Sequence, residues 1–96
     1  MNWIEIIDLR SAGRELATLK QTLAGMVSKL DRDIGIDKIC LYHNARVETD
    51  ISIHIQWKTG EETSGKSDLG LRLASALGAY GRVNHTVWLE EKGDGK

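Results

Sequence analysis

The stretch "ISIHIQWKTGEETSGKS", residues 51–67, carries two competing readings. Its second half, residues 60–67, fits the phosphate-loop pattern G-x-x-x-x-G-K-[ST], in which Gly60, Gly65, Lys66 and Ser67 would bind a nucleotide. Its first half argues otherwise. Ile51, Ile53, Ile55 and Trp57 alternate with Ser52, His54 and Gln56, which describes a strand with one apolar face. A phosphate-loop strand lies in a parallel sheet covered on both faces, and it reads as continuously apolar. Glu61 and Glu62 would also place two carboxylates where backbone N–H groups must hold polyphosphate. Only one further strand follows, too little for the larger parallel sheet of nucleotide-binding enzymes. The match is therefore read as a false phosphate loop. It is a polar strand-to-helix crossing, with Ser67 as the N-cap of the next helix.

Toward the C-terminus, Leu69, Leu73, Leu77 and Tyr80 form a helical stripe, and Gly81 suits a C-cap. Residues 83–90 (VNHTVWLE) read as a last strand. Toward the N-terminus, residues 45–50 are a polar turn and residues 38–44 (KICLYHN) a strand, so 38–57 should form an antiparallel hairpin. Before it, Leu16, Leu19, Leu23, Met26 or Val27, and Leu30 recur at helical steps, with Gly35 as the stop. Residues 3–9 (WIEIIDL) read as the first strand. The order β-α-β-β-α-β predicts a ferredoxin-like α+β fold. Its four-stranded antiparallel sheet has spatial order 4-1-3-2, with two helices on one face. Residues 1–91 make one domain, and residues 92–96 a polar, flexible tail.

The chain has 96 residues, 41% of them hydrophobic and 28% charged, as a single globular domain should. With 13 basic and 14 acidic residues the formal net charge is −1, which argues against a nucleic-acid surface. No apolar run reaches a membrane span. The N-terminus lacks the basic and apolar regions of a signal peptide, and the lone Cys40 cannot form an internal disulfide. The expected location is cytoplasmic.

If the first strand turns Ile4 and Ile6 toward the helices, three polar groups share that face: Asp8, His43 and His85. Asp8 and His85 would then be cross-strand neighbours, a histidine oriented by a carboxylate and suited to general-base work. These are the candidate catalytic residues. No ligand spacing is diagnostic of a metal. The opposite face would carry Trp3, Ile7, Leu9, Cys40, Tyr42, His54 and Trp88. So apolar a face should be covered, and a second copy is the natural partner, with Trp3, Tyr42, His54 and Trp88 in the dimer interface.

The succession of "AGREL", a leucine-striped helix ending near "DRDIG", then "LYHN" and a strand closing in "IQW" resembles the dimeric α/β-barrel superfamily. Within it, the likeness is to the antibiotic-biosynthesis-monooxygenase-like group, over residues 3–90. Tyr42 and Asn44 match the usual Y-x-N ending of the second strand, and Trp57 the tryptophan closing the third. The resemblance implies a homodimer packed sheet to sheet, with Trp57, Tyr42 and Asn44 in a ligand pocket. It also implies a small-molecule binder or cofactor-independent monooxygenase acting on an aromatic or quinol-like compound. Two departures matter. Ile55 stands where the group usually has an acidic residue. No histidine lies between Ser67 and Tyr80, so a haem-degrading role lacks its ligand, and no cofactor is expected. The alternative is a non-catalytic dimerisation or interaction module.

Overall fold

The structure, a computed structural model, describes residues 3–30, 35–58 and 65–91. Its elements are β1 (Trp3–Ser11), α1 (Leu16–Leu30), β2 (Ile36–His43), β3 (Asp50–Trp57), α2 (Asp68–Leu77) and β4 (Gly81–Leu89). The sheet order is β2-β3-β1-β4, with every pair antiparallel. This is the expected 4-1-3-2 order read from the other edge. The β2–β3 hairpin turns on Asn44, whose Oδ1 accepts the N–H groups of Arg46 (2.8 Å) and Val47 (2.9 Å). Such a side-chain-to-backbone turn is what asparagine does readily.

Ser67 caps α2 as expected: its hydroxyl accepts from the Gly70 N–H at 2.9 Å. Of the stretch that matches the phosphate-loop pattern, Gly60 and the two glutamates lie outside the described residues, while Gly65, Lys66 and Ser67 lead into this cap. The tail 92–96 also lies outside them.

The C-cap is Gly78, not Gly81. The helix stops one turn early, its last carbonyls satisfied by the Gly78 N–H, and Tyr80 falls beyond the stripe at 43% exposure. Gly81 instead opens β4, where β1 approaches so closely that a Cβ would overlap the Arg10 carbonyl oxygen and lie 2.9 Å from Ser11 Cα. Backbone cannot swing aside as a side chain can. Gly81→Ala is therefore expected to lower stability by about 2 kcal/mol, measured as a shift in urea midpoint with the slope unchanged.

The core lies between the sheet and the two helices. It holds Ile7, Leu9, Leu19, Leu23, Ile36, Ile39, Ile51, Ile53, Ile55, Leu73 and Leu77. This list corrects the expected register of the first strand. Trp3, Ile7 and Leu9 are 5%, 0% and 1% exposed and face the helices, whereas Ile4, Ile6 and Asp8 point to the open face. A one-residue slip moves every side chain across the sheet. The tempting parity hid Ile4 and Ile6 and left Glu5 in solvent. The chain buries Trp3, Ile7 and Leu9 instead, which removes more apolar surface from water. It then has to accommodate Glu5.

Candidate functional site

Glu5 is fully buried in the middle of β1. An unpaired carboxylate there would be prohibitively unfavourable. Four polar groups surround it. Oε1 accepts from Trp57 Nε1 at 3.0 Å and from the Ser67 hydroxyl. Oε2 accepts from the Ser67 backbone N–H at 3.1 Å and pairs with His85 Nε2 at 2.7 Å. Each partner has a reason to be there. Trp57 closes β3 opposite Trp3, and His85 stands on β4 opposite Ile7, so both flank Glu5 on the helix-facing side. Ser67 brings the N-terminus of α2, whose free N–H groups and dipole favour an anion. Gly70, in the first turn of α2, lies directly over the pair; a Cβ there would overlap Glu5 Oε2 and sit 2.8 Å from His85 Nε2.

The imidazole is held at one nitrogen only. The His85 side chain is 5% exposed, and among the described residues its Nδ1 is buried with no hydrogen-bond partner. A carboxylate bonded to one ring nitrogen fixes the tautomer and orients the other nitrogen as an acceptor. The expected motif, a histidine oriented by a carboxylate, is thus present with a different carboxylate.

Asp8 does not take part. Its cross-strand partners are Ser52 and Asn84, while His85 pairs with Ile7, so Asp8 and His85 project to opposite faces. His43, on the far edge strand β2, does face the helix side opposite Ile51, but two strands, β3 and β1, lie between it and His85, three strand spacings or roughly 14 Å. The candidate triad is therefore dispersed. Asp8 and His43 meet Tyr42 and Asn44 instead around a groove of about 550 Å³, with Arg10 and Arg82 at its rim. Asn44 contributes little chemistry there, because its oxygen is occupied by the turn. Tyr42 is raised above the usual phenol range, first by its hydrogen bond with Cys40, so it stays protonated and cannot serve as a base. Its ring leans on His54 with centroids 4.6 Å apart.

A second cleft, about 490 Å³, opens at the other end of the sheet. Trp3, Trp57 and Trp88 all line it, with Ile4, Gln56 and Leu89. Trp3 and Trp57 are stacked, with centroids 5.1 Å apart and planes 10° from parallel. Trp3 is a correction to the expected dimer surface: it is buried on the helix side, so of the four residues assigned to the interface only Tyr42, His54 and Trp88 stand on the open face. Trp88 is 57% exposed there.

Sequence reasoning missed Glu5 because a charged residue in a strand is ordinarily read as solvent-facing. A usable signal existed. The parity containing Glu5 also holds Trp3, Ile7 and Leu9, three large apolar groups against the two of Ile4 and Ile6. Among the described residues no group of three histidine, cysteine or acidic side chains is placed to hold a metal ion. No described helix is long and apolar enough to cross a membrane.

No protein-family model matches the sequence, and no curated protein matches it significantly. Solved structures do. Rv0793 from Mycobacterium tuberculosis superposes with a TM-score of 0.72 at 15% identity, over 98% of this chain and 99% of its own. A variant of SnoaB from Streptomyces nogalater, a cofactor-independent oxygenase, gives 0.72 at 13% identity over 99% and 98%. A provisionally named antibiotic biosynthesis monooxygenase from Deinococcus radiodurans gives 0.72 at 15% identity over 95% and 94%. At such identities the likeness is one of fold, and it extends over nearly the whole chain. The protein has the four-stranded, two-helix α+β fold of the antibiotic biosynthesis monooxygenase-like proteins.

Proposed function

We propose that the protein is a homodimer that binds a small, flat, quinol-like aromatic compound in the tryptophan cleft and oxidises it with dioxygen, without a cofactor. One observation carries this reading: the chain has three tryptophans, and all three line the same cleft. Stacking adds about 0.5–1.5 kcal/mol per aromatic pair beyond area burial, so a planar ligand is the natural occupant. The shared fold with SnoaB, itself a cofactor-independent oxygenase, supports the chemistry by analogy. In the simplest reaction a hydroquinone gives up two protons and two electrons, leaving as the quinone, and dioxygen takes both pairs as hydrogen peroxide.

The test uses 1,4-naphthohydroquinone. Under anaerobic conditions it should quench the tryptophan fluorescence saturably, and in air it should support enzyme-dependent oxygen uptake. Trp88 is exposed, so Trp88→Ala should leave the fold intact and weaken binding about tenfold, the equivalent of 1.4 kcal/mol. Quenching that fails to saturate, or that ignores the substitution, would defeat the assignment.

The dimer rests on the face the helices leave open. Ile4, Ile6, Cys40 and His54 are half-buried there beside the exposed Tyr42 and Trp88. Tyrosine and tryptophan are favoured in interfaces. Sedimentation at micromolar concentration should give twice the 10.7 kDa chain mass, and a strictly monomeric species would refute the dimer. A second reading, a non-catalytic interaction module, is favoured by the tight closure around Glu5 and His85. Oxygen uptake indistinguishable from the buffer rate would select it.

A further inference from the structure

We propose that the aromatic ligand of the tryptophan cleft carries a protonated amine, and that Asp37 is the residue that selects it. The proposal rests on the aromatic-binding reading above and narrows the ligand class to a quinol-like ring with an alkylammonium arm.

Three observations converge. The first is how Asp37 comes to line the cleft. On β2, Ile36 pairs with Trp57 and Lys38 with Gln56, and the register shifts between them. A regular strand would put Ile36 and Lys38 on one face. Here Ile36 is buried in the core, while Lys38 stands opposite Gln56 on the open face. Asp37 is the extra residue of this bulge. Bulges re-aim side chains and are over-represented beside functional sites. Among the described residues the Asp37 carboxylate makes no hydrogen bond or ion pair.

The second observation is what the tryptophans have left to offer. Trp57 gives its indole N–H to Glu5, and Trp88 gives its own to Thr86. A ligand therefore meets the ring faces of these two side chains and not their donors. The third is charge. The ionisable groups lining the cleft are Asp37, Glu90 and Lys58, two carboxylates against one ammonium.

These features favour a cation. The face of tryptophan is the best aromatic surface for an ammonium group, and Trp88 is exposed to receive one. The Asp37 carboxylate supplies a charge-assisted hydrogen bond to the same group. A neutral quinol can stack but leaves that carboxylate without its counter-ion. An anionic ligand would find Lys58 as its one ionic partner in the lining and two carboxylates opposing it.

Three matched hydroquinones test this by anaerobic calorimetry at neutral pH and low salt. They are 2-(2,5-dihydroxyphenyl)ethylamine, a cation, ethylhydroquinone, which is neutral, and (2,5-dihydroxyphenyl)acetate, an anion. The wild-type protein should bind the amine about tenfold more tightly than the neutral compound, and the acid most weakly. Asp37 is exposed, so Asp37→Asn should fold, and it should bring the amine-to-neutral ratio of Kd values close to one. The ratio cancels any general loosening of the cleft. Equal affinity for amine and neutral compound in the wild-type protein overturns the proposal and leaves the aromatic reading standing. So does a preference for the amine that survives Asp37→Asn. Tighter binding of the acid than of the amine also overturns it, since Lys58 would then decide. If none of the three binds at millimolar concentration, the aromatic reading falls as well.

Discussion

Glu5→Ala is expected to lower the unfolding free energy by about 3 kcal/mol, because it removes the acceptor that several buried polar groups share and leaves them enclosed. The His85 side chain is 5% exposed, so water cannot take over the role of the carboxylate. Trp57 Nε1 and the Ser67 N–H lose their acceptor in the same substitution. Domains of this kind are stable by only about 5–15 kcal/mol, so a large share of the total is involved. A urea titration measures it. A loss under 1 kcal/mol would mean that the four hydrogen bonds contribute little and that apolar packing alone holds β1 in register.

Gly70→Ala tests the same centre from the helix side. Propensity alone predicts a gain, since alanine is better than glycine inside a helix by about 1 kcal/mol. Packing predicts the reverse. The added methyl would overlap Glu5 Oε2 and lie 2.8 and 2.9 Å from His85 Nε2 and Cε1, so α2 would have to lift or the pair would have to break. Overpacking of this kind costs about 1–3 kcal/mol before any lost hydrogen bond is counted. The net expectation is a loss of about 2 kcal/mol. Gly25→Ala in α1 is the control, because nothing lies within 4 Å of the Cβ it would add. It should stabilise by up to about 1 kcal/mol. If both substitutions stabilise, the close fit of α2 over Glu5 and His85 is wrong.

These two positions also mark where the sequence could be read and where it could not. Local chemistry was legible. The alternation of Ile51, Ile53, Ile55 and Trp57 gave a one-sided strand, and Ser67 gave a helix start; both stand, the cap bond at 2.9 Å. The strand and helix order followed from such local signals, and with it the sheet topology. The C-cap was misplaced because two glycines, Gly78 and Gly81, both suit a helix end. The one needed by the close approach to Arg10 was set by tertiary structure.

The candidate site depended on a choice that local pattern does not make. "WIEIIDL" carries apolar residues on both parities, three against two, so alternation signals its register only weakly. One register groups Asp8 with His85; the other buries Glu5. The partners that make burial of Glu5 tolerable are Trp57, Ser67 and His85, which lie 52, 62 and 80 positions away along the chain. The sequence by itself determined the elements and their order, because propensity, alternation and capping act over a few residues. Only the tertiary structure decided which carboxylate meets His85 and which face Trp3 takes, because burying a charge is feasible only where distant strands and a helix terminus converge on it.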